Sequence, residues 1–427
     1  MKSKKLPANA LPGPDDITRV ELPNGVTVLT RSNFNSPSVV LSGYLKTGSL
    51  MDSDEKLGLA HFATLGLMRG TREQDFQTIY DALESAGASL GFSAGVNTTS
   101  FNGRALVEDL PMLLSLIAEV LQFPTFPTVQ VERLRAQLLT GLAIRAQDTG
   151  YMASMAFDEI VYQNHPYHRP EDGYVETIQA INMADLVEYH RRCFGPRQMV
   201  LVITGDIEPA WAVDLVGKVL GAWENPSQSS MPALPPLTPL TSTVRRHVPI
   251  AGKSQTDLVL GTSGPSRVSP DFIAASLGNS ILGQFGMMGR IGDSVRDRSG
   301  LAYYAYASLN AGIGPGTWEV SAGINPANLE KTIQLVQQEL LRFTSEPVSA
   351  EELDDSQSNF IGRLPLSLES NAGVASALLN LERYNLGLDY YRRYAGLVRQ
   401  VTPEMILETA QRYLNLDCLA IASAGPE

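Results

Sequence analysis

Cysteine is almost absent: Cys193 and Cys418 are the only two in 427 residues, so neither a disulfide framework nor a cysteine-based zinc site can be assembled within the chain. Basic residues are also sparse, with 33 Lys and Arg against 45 Asp and Glu and a net charge of -12. That balance argues against nucleic acid or an anionic membrane surface, which both need clustered cations, and it favours neutral or basic peptide partners. Long apolar runs are missing too, so nothing reads as a membrane span. The basic start, MKSKKLPANALPGPDD, has no apolar segment behind it to make a secretory signal. As written the chain reads as cytoplasmic; one stripped of a signal peptide, and so periplasmic, would read the same.

Apolar residues make up 44% of the chain and charged residues 18%, a globular balance, and the length calls for more than one core. Residues 1–17 read as a loosely attached lead. Asn24-Gly25 between two short apolar runs is a hairpin signal. A buried strand (39–46), two helices (57–68 and 75–86), one or two strands after Gly87 and a run of helices follow, closed by the strand MVLVIT at 199–204. Between 225 and 243 the composition turns to prolines and serines, a stiff linker. It separates an N-terminal domain, 18–224, from a C-terminal one, 244–427.

The two halves are related. Adding 220 carries Phe123 to Phe343, Pro127 to Pro347, Glu132 to Glu352, Glu188 to Glu408, Arg192 to Arg412 and Gly205 to Gly425. So long a period marks duplication of a whole domain. Two homologous α+β domains, with strands clustered early and helices packed on one sheet face, are the economical architecture.

In the second half, residues 283–309 read GQFGMMGRIGDSVRDRSGLAYYAYASL. Four glycines (Gly283, Gly286, Gly289, Gly292) let the backbone approach something closely. A charged helical turn from Asp293 to Arg298 then breaks at Ser299-Gly300 before a Tyr/Ala-rich strand. Arg296 and Tyr303 stand on either side of that break, where a guanidinium and a phenol could meet one acceptor. Taken alone, the stretch reads equally as a Gly-rich connection, and the Gly283–Gly292 part as a flexible joint, an entry gate or a peptide contact.

Four segments, GLAHFATLGLMRGT (58–71), HPYHRPEDG (165–173), FGPRQMVLVITGD (194–206) and RDRSGLAYYAYA (296–307), together resemble the pitrilysin or insulinase-like zinc peptidases, the inverzincins, over essentially the whole chain. The resemblance implies a repeated α+β domain, two repeats forming one half of a clamshell around an unfolded peptide. Active members carry H-x-x-E-H on the first helix and a glutamate ligand further on. Here His61 matches the first ligand, but Thr64 stands at the general base, Leu65 at the second histidine and Gly141 at the third ligand. One ligand of three cannot hold a catalytic zinc, so no cofactor is expected in this chain. His61 is expected to be a packed, hydrogen-bonded histidine. His165 and His168 lack a third partner, and His190 and His247 are assigned no role.

The family's Arg and, seven residues later, Tyr match Arg296 and Tyr303. A neutral phenol and a fixed cation suit the negative charge that builds on a peptide carbonyl under attack. The resemblance thus implies a non-catalytic subunit of a heterodimeric zinc metallopeptidase. Its partner would be a homologous catalytic subunit with an intact H-x-x-E-H, which binds the zinc, and Arg296 and Tyr303 would act in trans on an unstructured peptide substrate. The family also offers a catalytically dead core or assembly subunit of a larger complex, and a peptide-binding module without cleavage is a further reading.

Overall fold

The structure is a computed structural model and describes residues 11–284 and 289–427. Residues 1–10 of the expected lead and 285–288 of the glycine-rich stretch lie outside the described residues.

The hairpin signalled by Asn24-Gly25 is present: β1 (Thr18–Glu21) and β2 (Thr27–Ser32) pair antiparallel, Thr18 opposite Thr30. Next come β3 (Ser38–Leu45), α1 (Leu59–Gly66), α2 (Phe76–Ser85), β4 (Ser89–Ala94) and β5 (Thr99–Leu106). The helices α3 (Leu110–Gln122), α4 (Thr128–Arg145), α5 (Thr149–Val161), α6 (Val175–Ala180) and α7 (Met183–Cys193) lead to β6 (Val200–Gly205) and α8 (Pro209–Leu220). The strands form one sheet in the order β1-β2-β6-β3-β5-β4. Alternation assigns its faces. Leu41, Leu45, Phe101 and Ala105 enter an apolar core with Phe62 of α1 and Leu113, Leu114 and Ile117 of α3. Ser42, Ser100, Asn102 and Arg104 take the opposite face.

The second half repeats the plan. β7 (Val244–Pro249), β8 (Thr256–Gly264), α9 (Phe272–Gly283), α10 (Gly289–Gly292), β9 (Ala302–Asn310) and β10 (Gly316–Ile324) come first. Then follow α11 (Leu329–Ser345), α12 (Ala350–Ser367), α13 (Asn371–Arg383), α14 (Tyr390–Arg399), α15 (Pro403–Tyr413) and β11 (Ala420–Gly425). Their sheet runs β7-β11-β8-β10-β9, matching the first strand for strand apart from β1. Even the parallel pair recurs, β2 with β6 and β7 with β11. The expected shift of 220 carries α7 onto α15 and β6 onto β11 residue for residue. In this core Trp318 of β10 packs edge-on against Phe343 of α11, and its indole N–H donates to Asn279 of α9 at 3.0 Å.

Two compact units result, and neither is contiguous in sequence. One comprises Met1–Leu142, Arg169–Ala233 and Pro365–Arg392; the other comprises Ala143–His168, Leu234–Leu364 and Arg393–Glu427. The reason is visible in two helices. α5 packs on β11 and β8, where Ala153, Ala156 and Phe157 meet Ala420, Ala422 and Ala424. α13, the equivalent helix of the second half, packs on β6 and β3. Segment 225–243 has no regular structure but is anchored. Gln228 is buried, its side-chain oxygen accepting from the Arg197 backbone N–H at 3.1 Å, and Leu237 and Leu240 pack against the cluster that holds α5. Among the described residues no helix is long and apolar enough to cross a membrane.

Candidate functional site

The first helix begins at a buried carboxylate. Asp52 accepts the backbone N–H groups of Gly58 and Ala60 at 3.0 Å each and so caps α1. Burial pushes its carboxyl up to about 7 in spite of those donors and of Arg169 nearby. One turn on, His61 is half-buried, and loss of solvent lowers its pKa while Asp172 opposes the shift. Thr64 is fully buried with its hydroxyl 3.4 Å from that of Thr99, and Leu65 packs against the apolar core. Gly141 lies exposed on α4, with open space where a side chain would project. These residues do not fit a catalytic zinc: beside one imidazole the expected ligand positions offer an alcohol, an isobutyl group and no side chain at all. Among the described residues no three His, Cys, Asp or Glu groups are arranged to hold a metal. Elsewhere, Nδ1 of buried His165 accepts from Tyr167 N–H at 3.2 Å, His190 bonds the Leu121 carbonyl at 2.8 Å, and His247 meets the Ser423 hydroxyl at 2.9 Å.

The other pair of expected site residues sits on irregular backbone. Arg296 belongs to a six-residue π-helical turn, Asp293–Arg298, a rare conformation that collects at functional sites. Within it Arg298 is paired with Asp293, whereas half-buried Arg296 has no side-chain partner among the described residues. Beyond the Gly300 turn, β9 pairs with β10 in regular register as far as Tyr304 opposite Gly323. The next pair is Ala302 with Ile324, so Tyr303 is the extra residue of a β-bulge. A bulge re-aims a side chain, and Tyr303 is 82% exposed with no hydrogen-bond partner among the described residues. β9 is also the outermost strand of its sheet. Arg296 and Tyr303 therefore stand on adjoining elements and are not hydrogen-bonded to each other.

Residues 27–173 match the family model described as "Insulinase (Peptidase family M16)", and residues 180–360 match the one described as "Peptidase M16 inactive domain". The chain belongs to the insulinase family of peptidases. Its likeness to relatives runs nearly end to end. An uncharacterized zinc protease of Mycobacterium leprae is 26% identical over 93% of this chain and 89% of its own length. The mitochondrial-processing peptidase subunit beta of Saccharomyces cerevisiae is 22% identical over 94% and 87%. Among solved structures, a peptidase M16 inactive domain from Pseudomonas fluorescens superposes with a TM-score of 0.89 at 27% identity, covering 96% of this chain and 98% of that one. The insulinase fold of two α+β repeats is thus present, while of the family's zinc-motif residues only His61 is.

One set of residues beside Arg296 and Tyr303 carries no signal in the sequence. Tyr304, next to Tyr303, sends its phenol across β10 to Asp257 of β8, which also receives the Thr149 hydroxyl and, at 3.0 Å, the Gln255 amide. Gly323 lies between Asp257 and Tyr304 in the strand register, and a Cβ there would come within 2.4 Å of the Tyr304 ring. The missing side chain is what lets the phenol pass. Burial, reinforced by the bond to Asp257, raises the Tyr304 pKa strongly, so it stays a donor. Tyr304 thus ties the outermost strand to the sheet beside the bulge.

Proposed function

We propose that this chain is the non-catalytic subunit of a heterodimeric zinc metallopeptidase. It closes with a homologous catalytic subunit, carrying an intact H-x-x-E-H, around an unstructured peptide. The metal belongs to that partner. This chain supplies a phenol O–H from Tyr303 and a guanidinium from Arg296, which stabilise the negative charge developing on the scissile carbonyl oxygen. Arg296 keeps its charge at any working pH and can also orient the peptide backbone.

The observation that carries this reading is Tyr303 itself, displaced by a bulge to 82% exposure with no partner among the described residues. A phenol held only for packing would be buried. The π-helical turn under Arg296 supports the same site from the neighbouring element. The yeast relative is named as a subunit of a processing peptidase, which supports an assembly of more than one chain.

The test is a peptidase assay on this chain alone, on the candidate partner alone and on the mixture. Hydrolysis is expected only in the mixture. Tyr303→Phe is expected to lower kcat by roughly 10²- to 10³-fold, the loss typical of one oxyanion donor, while the complex still elutes as one species. Unchanged turnover in an assembled mutant complex would remove the composite site.

A further inference from the structure

The polar face of the first sheet holds a cavity of about 390 Å³, roofed in part by α13. Its charge runs against the rest of the molecule. In a chain with a net charge of -12, the lining includes Arg104 of β5 and Arg383 of α13 and no carboxylate. Neither arginine has an ion-pair partner among the described residues. Arg383 rests its guanidinium 4.9 Å from the centre of the Tyr44 ring, and its Nε is buried without a hydrogen-bond acceptor. A buried guanidinium N–H left unbonded is costly, and a ring face beneath it fixes the fork without neutralising it.

The remaining lining is built to donate. Ser42 gives its hydroxyl to the Asn102 side-chain carbonyl oxygen at 2.8 Å, and among the described residues neither the Asn102 amide NH2 nor that of Asn380 of α13 has an acceptor. Ser89 extends the lining to β4, the last strand of the sheet, so the cavity reaches an open edge. Opposite Asn102 on β4 stands Gly91, above which a side chain would meet nothing within 4 Å.

We propose that Arg104 and Arg383, with the Asn102 and Asn380 amides, form a carboxylate-binding pocket that captures an acidic group of the peptide. This rests on the peptide-processing reading above. Arginine suits the role because its planar fork matches a carboxylate through two charge-assisted hydrogen bonds. The carboxylate is an acidic side chain or the free C-terminus of the peptide. The overall acidity of the chain favours neutral or basic partners at long range; the pocket selects the opposite charge at one position.

Calorimetric titration of the full chain with three short unstructured peptides tests this. One has blocked termini and a single glutamate, one has glutamine in its place, and one has glutamine with a free C-terminal carboxylate. A carboxylate-bearing peptide is expected to bind about tenfold more tightly than the blocked glutamine peptide, and which of the two gains identifies the source. Arg383→Met and Arg104→Gln are each expected to erase the preference while leaving the blocked glutamine peptide unaffected. Should Arg383→Met unfold the chain, Arg104→Gln, at an exposed position of β5, carries the comparison. Equal binding of all three peptides, or a preference that survives in a folded variant, overturns the pocket. Failure of every peptide to bind also overturns it, while the composite site stands or falls separately on the mixed-subunit assay.

Discussion

Tyr303 and Tyr304 are adjacent and chemically identical, yet one is committed to Asp257 and the other is exposed without a partner among the described residues. Alternation alone would place Tyr303 on the face of buried Ala305 and Ala307, and the extra residue in the β9 register takes it off that face. Another pair shows what an ion pair does for stability. Arg290 Nε and Nη2 donate to the two oxygens of Glu352 at 2.7 Å each, and this holds the Glu352 carboxyl down to about 2 from an ordinary 4.5. A depressed folded-state pKa means the unfolded chain binds the proton first as pH falls. The contribution is therefore complete above an ordinary carboxylate pKa and is lost as pH drops through about 2. Urea denaturation across that acid range is expected to show a shallower loss of stability in Glu352→Gln than in wild type. Identical pH slopes would mean that the pair is not linked to folding.

Gly283 is the last residue of α9, and a Cβ added there would lie 2.0 Å from the Ala307 amide nitrogen of β9. The close approach expected of the glycine-rich stretch is thus realised at its first glycine, against the strand that carries Tyr303. Gly283→Ala is expected to push α9 and β9 apart, with a loss of about 1–3 kcal/mol as in other overpacked cores, read from the urea midpoint. An unchanged midpoint would show that the contact yields without cost. The exchange of α5 and α13 follows the same rule of fit. α5 can lie on the second sheet because β11 presents alanines at 420, 422 and 424 and so leaves room for Phe157 and Ile160. The long helices that flank them, α4 and α12, keep the order expected from the duplication.

Each compact unit has an apolar core of its own, one built around Phe62, Phe101 and Leu114 and the other around Trp318 and Phe343. Among the described residues neither core gathers three His, Cys, Asp or Glu side chains that could hold a metal. Treatment with EDTA is expected to leave the melting temperature of the isolated chain unchanged. Metal analysis after exposure to zinc and desalting is expected to find far less than one zinc per chain. A melting temperature that falls on chelation, or one tightly held zinc, would contradict the loss of the family's ligand set at Thr64, Leu65 and Gly141. The insulinase fold is thus present although Thr64, Leu65 and Gly141 stand where its zinc motif would be, which is possible because packing positions and ligand positions are different residues.

The hairpin at Asn24-Gly25, the repeat at a spacing of 220 and the damaged zinc motif were all legible in the residue order, since each rests on local pattern or on residue identity. The α+β class followed from where strands and helices cluster along the chain. Other features depend on registers between segments far apart in sequence. The bulge that exposes Tyr303 needs the β9–β10 pairing, the Tyr304–Asp257 bond needs Gly323 to fall between them, and the Arg104–Arg383 cavity joins β5 to a helix more than half the chain away. Anchoring of Gln228 and the exchange of α5 and α13 belong with them. Periodicity decides what each segment becomes; which side chains finally meet is decided by cross-strand register and packing volume, and neither is encoded within any one segment.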